Sequence, residues 1–389
     1  MTAALDPALR FPLRAFLGVD DAAASHCQSE RWGAGHIHDS WRVSDLATSS
    51  RYFLQRVNSV VFPDGDALAH NLPLIIDRLA GEWQRRGAAD WRRRTLALHA
   101  VPVSREAAVG GTLLRDGTVL ASHLRDDDGG IWRCFDFLDD AHAVQVADRP
   151  EQAFEAARAF GQFQSLLSTM PVGDVREVIP AFHDTPARID ALEAAAVRDA
   201  AGRAAGVSAE LAVVRARRRL TSTLAIQRAR GELPVRLVHN DAKIANVLFD
   251  DATGATRCVV DLDTVMPGLV AWDFGDLVRS MASATAEDAP DPAQVTVRWE
   301  FLDAIVRGYL TDAAAFLAPV ERASLVTGAL TITLEQGARF LTDYLEADRY
   351  YKVTYAGQNL ARARTQLALL TQLEAVTARL EHAVASFAP

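Results

Sequence analysis

The sequence is poor in several features that would narrow its class. It has only three cysteines, Cys27, Cys134 and Cys258. Their odd number and wide spacing suggest neither a disulfide framework nor a zinc motif. No apolar run approaches the length of a membrane-spanning helix, so no membrane partner is expected. Residues Met1 to Gly18 lack the long apolar core and cleavage site of a secretory signal, which leads us to expect a cytoplasmic protein. Positive charge is not in excess. The formal net charge of −9 argues against an electrostatic nucleic-acid footprint but leaves room for a local basic pocket. No internal repeat or low-complexity segment stands out. A hydrophobic fraction of 49% and a charged fraction of 23% are those of an ordinary globular protein, and 389 residues suffice for two lobes, each with a core.

Against this background one stretch is unusual. His239-Asn240-Asp241-Ala242-Lys243-Ile244-Ala245-Asn246 reads H-x-D-x-K-x-x-N, and apolar Cys258-Val259-Val260 then leads to Asp261-Leu262-Asp263. Phosphoryl transfer asks little covalent chemistry of a protein and much charge neutralisation. One loop must therefore aim a carboxylate at the acceptor hydroxyl and oxygens at a metal, which is the grammar of a kinase loop. Asp241 is the candidate for the carboxylate that accepts or orients the hydroxyl proton. Asn246 and Asp261 are the candidate Mg²⁺ ligands, because that hard cation prefers oxygen donors and phosphates. Lys243 is placed to neutralise the transferred group. A loop aspartate often does no more than cap a turn; His239, Lys243 and Asn246 at these spacings weigh against that reading.

Apolar Val247-Leu248-Phe249 and Cys258-Val259-Val260 flank a turn at Asp250 to Gly254. This predicts a hairpin with Asn246 on entry and Asp261 on exit. The period of two along a strand puts Asp263 on the same face as Asp261, as a further metal contact or a substrate contact. Asp273-Phe274-Gly275 spells the metal tripeptide of protein kinases but comes too late in the chain, beyond Val265-Met266-Pro267-Gly268. Asp273 is instead assigned to bracing the loop by hydrogen bonds, and His239 to supporting it.

The first third of the chain reads as strands: Trp41 to Val43, Tyr52 to Val57, Thr95 to Leu98, Val119 to Ala121 and Trp132 to Phe135. One helix interrupts them, roughly Asp66 to Arg86, with Leu68, Leu72, Ile75, Ile76 and Leu79 at helical spacing. After Asp139-Asp140 the pattern turns to alanine-rich helices, at Glu151 to Leu167, Arg188 to Ala204, Ala209 to Ala229, Thr296 to Leu310, Ala323 to Asp343 and Leu360 to Ala385. The expected fold is α+β, bilobal and protein-kinase-like, with a small β-rich N-lobe over 1–138 and a larger helical C-lobe over 139–389. The basic run Arg215, Arg217, Arg218, Arg219 reads as a solvated helix face.

Nucleotide contacts are expected from the first lobe. Gly33 and Gly35, with His36, lie in a loop where backbone amides can approach phosphate, although ordinary hairpin turns look the same. Arg56 is the charged candidate for the α- and β-phosphates, with Gln55 competing if the register shifts by one. Phe137 and Asp139 fall at a hinge whose backbone would pair with adenine.

These words together resemble a family. The chain is similar, over nearly its whole length, to the aminoglycoside phosphotransferase and choline-kinase-like superfamily, and within it to the N-acetylhexosamine 1-kinases. The resemblance is carried by Gly35-His36-Ile37-His38-Asp39-Ser40, Tyr52-Phe53-Leu54-Gln55-Arg56-Val57-Asn58, Phe160-Gly161-Gln162-Phe163-Gln164 and Ile179-Pro180-Ala181-Phe182-His183-Asp184-Thr185. It continues through the loop around Asp241, Asp261 to Gly268, Asp273 to Asp276, Arg339 to Leu345 and Asn359 to Gln366. It implies an ATP- and Mg²⁺-dependent kinase that phosphorylates the anomeric C1 hydroxyl of a hexose, with an N-acetylhexosamine as first choice. Asp241 would be the base, Asn246 and Asp261 the metal ligands, and the helical half the sugar pocket. His38 and the Ala242-Lys243-Ile244-Ala245 stretch depart from the family's pattern, which leaves the sugar open. Candidate sugar contacts are Asp263, Arg339, Asp343, His183 and Tyr344, with Arg188 and Tyr351 as further possibilities. The competing readings are a kinase for an aminoglycoside, choline or homoserine, and a non-catalytic nucleotide-binding protein.

Overall fold

Strands that bury alternate side chains organise the first part of the chain. The computed structural model describes residues 5–33 and 37–388. It divides into two units, one of 1–141 with 173–180, the other of 142–172 with 181–389. The fold is a bilobal α+β one, with a smaller β-rich unit and a larger helical unit.

The first unit opens with α1 (Arg10–Leu17), then β1 (Cys27–Arg31), β2 (Asp39–Asp45) and β3 (Ser50–Arg56). Next come α2 (Gly65–Arg85), β4 (Val101–Val103), β5 (Ala108–Val109), β6 (Thr112–Leu113), β7 (Val119–Ala121), β8 (His123–Arg125) and β9 (Ile131–Asp136). The main sheet has the order β1-β2-β3-β9-β8-β5, and β4, β7 and β6 form a smaller one. Trp41 and Val43 of β2, Leu54 of β3 and Trp132 and Cys134 of β9 share one face and pack on Leu13 and Phe16 of α1. Ser40 of β2, Gln55 of β3 and Arg133 of β9 are register partners on the other face. Helix α2 starts where the Asp64 carboxylate accepts from Ala67 N, and buries Leu68, Leu72, Ile75, Ile76 and Leu79. Asn71 of α2 exchanges two hydrogen bonds with the backbone of Arg176, which draws 173–180 into this unit.

Thr95 to Leu98 does not form the predicted strand. The Thr95 hydroxyl donates back to Trp91 O at 3.2 Å, and only Leu98 bridges to Phe135.

The second unit begins near β10 (Ala141–Ala143), followed by α3 (Pro150–Leu167), α4 (Thr185–Arg198), α5 (Ser208–Ala216), α6 (Arg218–Ala229), β11 (Arg236–Val238), β12 (Val247–Asp250), β13 (Thr256–Val259) and β14 (Met266–Gly268). It ends with α7 (Val270–Met281), α8 (Trp299–Ala313), α9 (Pro319–Leu345) and α10 (Gln358–Ser386). The predicted hairpin is present: β12 pairs with β13 across a turn in which Asp250 Oδ1 accepts from Ala252 N and Thr253 N. The expected single helix over 209–229 is two, broken at Arg217. That guanidinium reaches Glu374 on α10 with two 2.7 Å bonds. The basic run is therefore ion-paired: Arg215 meets Glu193 and Arg218 meets Asp190, both on α4.

Helices pack where glycine lets backbones touch. A Cβ on Gly328 of α9 would lie 2.0 Å from Ala271 O of α7, and one on Gly161 of α3 would lie 2.3 Å from Tyr309 O of α8. Among the described residues no helix is long and apolar enough to cross a membrane. We predict that Gly328→Ala lowers unfolding stability by about 2 kcal/mol or more, since backbone must move to admit the methyl. Gly81→Ala, on the exposed side of α2 with nothing within 4 Å, should raise it by about 0.5–1 kcal/mol. Urea melts of both variants check the pair; similar shifts in one direction would contradict the packing argument.

Candidate active site

The loop 239–246 leaves β11 and enters β12, and its shape is set by a carboxylate that lies beneath it. Asp273, buried on α7, accepts from His239 N at 2.8 Å and Asn240 N at 2.7 Å, and also from Gln164 Nε2 of α3 at 2.7 Å. Burial pushes the Asp273 pKa up, and these donors pull against it. Gln164 in turn accepts from the Tyr309 hydroxyl of α8. Asn240 takes a left-handed backbone with φ 63°, which asparagine tolerates better than most residues. Its side-chain amide donates to Thr264 O at 2.9 Å.

His239 lies edge-on to Phe160 and Phe163. Its Nε2 is 3.0 Å from Val260 O, and its Nδ1 accepts from Asp241 N at 3.3 Å. That pair of partners selects the tautomer protonated at Nε2.

Asp241 follows, with Oδ2 accepting from Lys243 Nζ at 2.8 Å and from Asn246 Nδ2 at 2.9 Å. Its Oδ1 accepts no hydrogen bond among the described residues, so one oxygen is left for an incoming hydroxyl. Burial works to raise the Asp241 pKa. The Lys243 ammonium, with help from the Asn246 amide, outweighs it and holds the group at about 2. Lys243 is raised correspondingly: burial opposes its charge, but the carboxylates of Asp241, Asp261 and Asp276 more than compensate.

Asp261 is exposed and has φ 61°, and a 3-10 turn over Leu262–Thr264 follows it. The strand ends at Val259, so the predicted alternation between Asp261 and Asp263 fails. Asp263 is buried inside the turn rather than aligned with Asp261. Asn246 donates through Nδ2 to Asp241, which leaves its side-chain oxygen for a cation. That oxygen and the Asp261 carboxylate are hard donors. They suit an ion that takes part of its coordination from phosphate and water. No group of three or more His, Cys, Asp or Glu that could hold a metal by itself occurs among the described residues.

The family model described as the phosphotransferase enzyme family matches residues 30–305. The chain belongs to the phosphotransferase enzyme family. It is a phosphotransferase acting on a small-molecule alcohol. Solved structures similar to it include a spectinomycin phosphotransferase in complex with ADP and spectinomycin, at 12% identity and a TM-score of 0.56, covering 94% of this chain and 98% of that one. A choline kinase from Cryptosporidium parvum matches at 9% identity and a TM-score of 0.50, covering 96% of each chain. At these identities the likeness is one of fold.

Several candidate contacts of this phosphotransferase are engaged elsewhere. His183 has both ring nitrogens taken, by Glu335 and by Asn240 O. Asp343 accepts from the backbone N–H groups of Arg349, Tyr350 and Tyr351 and from Asn359 Nδ2, so it ties down the turn after α9 instead of meeting a sugar. Tyr344 packs under Arg203 in the α4–α9 core. Arg188 spends its guanidinium on the carbonyls of Ala181 and Phe182. Arg339 is different: its guanidinium lies 5.0 Å from the Phe182 ring and 6.0 Å from that of Tyr351, feels Asp241, and has one long 3.5 Å bond to Gln336.

In the first unit, Gly33 has φ 87°, while Gly35 and His36 lie outside the described residues. Arg56 sits on the α1-facing side of its sheet, 3.8 Å from Asp126 and over the Trp132 ring. Gln55, on the opposite side, accepts two hydrogen bonds from Arg133. Arg133 is a cation that sequence reasoning missed; only the β3–β9 register brings it beside Gln55. Phe137 uses its N–H on Arg51 O, and Asp139 pairs with the Arg51 side chain. Gln164, Tyr309 and Glu335 were missed as well. The one signal for them is a polar residue at a core position of an amphipathic helix.

Asp273→Ala should leave the N–H groups of His239 and Asn240 buried without an acceptor, at about 1–3 kcal/mol each. Chemical denaturation checks this, and a loss within ~0.5 kcal/mol would show that the loop does not depend on the brace.

Proposed function

We propose that this phosphotransferase moves the γ-phosphoryl group of ATP, as its Mg²⁺ complex, to the anomeric hydroxyl of a hexose, an N-acetylhexosamine first among them. The observation that carries the phosphoryl-transfer chemistry is the Asp241 carboxylate, fixed through Oδ2 by Lys243 and Asn246 with Oδ1 open. A carboxylate held at about 2 is a weak base. Asp241 therefore orients the hydroxyl first and takes its proton late, which suits a loose transition state with little early demand for a base. Lys243 supplies positive charge where the equatorial oxygens gather negative charge. Mg²⁺, when bound, neutralises phosphate charge; Asn246 and Asp261 are the residues that would hold it.

For the acceptor, the fold relatives support the wider class, a kinase of a small-molecule alcohol, more directly than they support a hexose. Spectinomycin and choline illustrate its breadth. The hexose reading draws on the family resemblance in the sequence and on Arg339. A guanidinium that feels the Asp241 charge, backed by aromatic rings, favours an oxygen-rich uncharged acceptor. A cationic acceptor held within ~4 Å of it would meet repulsion on the order of 4 kcal/mol at an effective dielectric near 20. The overall acidic balance speaks for a cationic alcohol as the second reading.

Asp241→Asn should keep the fold and lose about 10²-fold or more in turnover, because the amide cannot take the proton. Turnover within a few-fold of wild type would remove Asp241 from the role. The pH dependence has a definite sign. Pairing with Lys243 depresses Asp241, so the carboxylate stays ionised as pH falls until about 2. Lys243→Met removes that depression, and the acid limb of kcat/KM should move to higher pH. The acceptor is tested with ATP, Mg²⁺ and a panel of N-acetylglucosamine, N-acetylgalactosamine, glucose, choline, homoserine and an aminoglycoside, read by ADP release and phosphorus NMR. The expected product is an acid-labile hexose 1-phosphate, and a 1-O-methyl glycoside should bind without reacting. Efficient phosphorylation of that glycoside, or turnover confined to cationic alcohols, would sink the anomeric reading and leave the enzyme class standing.

A further inference from the structure

His183 is held at both ends of its ring. The side chain is 6% exposed, Nδ1 is 2.8 Å from Glu335 Oε1, and Nε2 is 3.0 Å from the carbonyl oxygen of Asn240. The ring packs against Phe182 and Trp272, with centroids at 4.7 and 5.2 Å. A peptide carbonyl can only accept, and so can an ionised carboxylate. Glu335 is buried at 1% exposure, and its second oxygen takes the hydroxyl hydrogen of Thr185 at 2.5 Å, so both its oxygens serve as acceptors.

The carbonyl at the other end belongs to the Asn240–Asp241 peptide, whose N–H is bound by His239 Nδ1. His183 and His239 thus grip the two polar groups of one peptide plane, the plane from which Asp241 projects. We propose that His183 is a positioning residue for phosphoryl transfer, anchored by Glu335, and that it aims the Asp241 carboxylate by fixing this peptide. The proposal rests on the reading of Asp241 as the reacting carboxylate.

Without the ring the Asn240 carbonyl loses its donor, and the peptide from which Asp241 projects is held only at its N–H end. The charged groups around the ring are Glu335 and Arg339 of α9, Asp241 of the loop, Asp184 and Arg188 at the start of α4, and Arg228 of α6 above Trp272. Of these, Glu335 is the one hydrogen-bonded to the ring. Glu335→Gln retains size and an acceptor oxygen but weakens the anchor on the ring, and Thr185→Val removes the hydroxyl that fixes Glu335.

The test uses full-length ¹⁵N-labelled protein, with the Asp241 backbone amide assigned by difference from Asp241→Asn. That amide should shift in His183→Gln and, by less, in Glu335→Gln and Thr185→Val. With ATP, Mg²⁺ and N-acetylglucosamine, His183→Gln should lose roughly tenfold in kcat while KM for ATP stays within about twofold. An Asp241 amide that does not move in His183→Gln, or a kcat within about twofold of wild type, would overturn the proposal. The amide readout needs no turnover. Failure of every acceptor would count against the role of Asp241 instead.

Discussion

The carboxylate of Asp273 accepts from two consecutive backbone N–H groups of the loop, and the rest of the site is arranged around that contact. Two donors on adjacent residues can meet one carboxylate only if the chain turns sharply, and Asn240 turns through the left-handed region to let them. The turn carries Asp241 out of the buried layer, away from His239. The brace is itself braced. Gln164 and Tyr309 extend it into α3 and α8, whose backbones meet through Gly161. Two residues beyond Asp273, Gly275 lies against Gly328 of α9, so α7 cannot shift without disturbing that contact. Loop geometry is thus tied to helix packing far from the loop.

Most buried charge in the second unit is matched locally. Arg279 lies between Asp276 and Glu287, Arg236 holds Glu321 with two bonds, and His183 meets Glu335. Breaking one member of such a pair costs more than the pair contributes, since the survivor is left charged in a poor solvent. Arg339 departs from this pattern, with aromatic rings beside it and a single long hydrogen bond.

How much of this was legible in the sequence depends on how local each feature is. The loop, the hairpin and the bonding of Lys243 and Asn246 to Asp241 fall within a few residues of one another, and spacing alone brings them together. Most helix positions followed from periodicity; α1 and α7 were not foreseen, the helix expected over 188–204 ends at Arg198, and the one expected over 209–229 breaks at Arg217, whose guanidinium holds Glu374 on a distant helix. The alignment of Asp263 with Asp261 was misread because a strand rule was carried into a turn. His183, Asp343 and Tyr344 were read as sugar contacts, yet their partners lie within the protein on other elements, and no pattern along one segment reveals a partner on another. Arg133 stayed hidden for the same reason: its neighbour Gln55 is reached only through strand register.

Lys243 is one of only two lysines in the chain, the other being exposed Lys352. An arginine would fork across several oxygens, whereas an ammonium acts as a compact point charge that can turn from one carboxylate to the next. Its proton is held tightly by the acids around it, and an amine reacts with electrophiles only after losing that proton. Amine-directed dyes and crosslinkers should therefore find Lys352 well before Lys243. The ion pair at the site makes this enzyme's side chains behave, towards such reagents, as though they carried a single lysine, and a label could be attached there without touching the chemistry around Asp241.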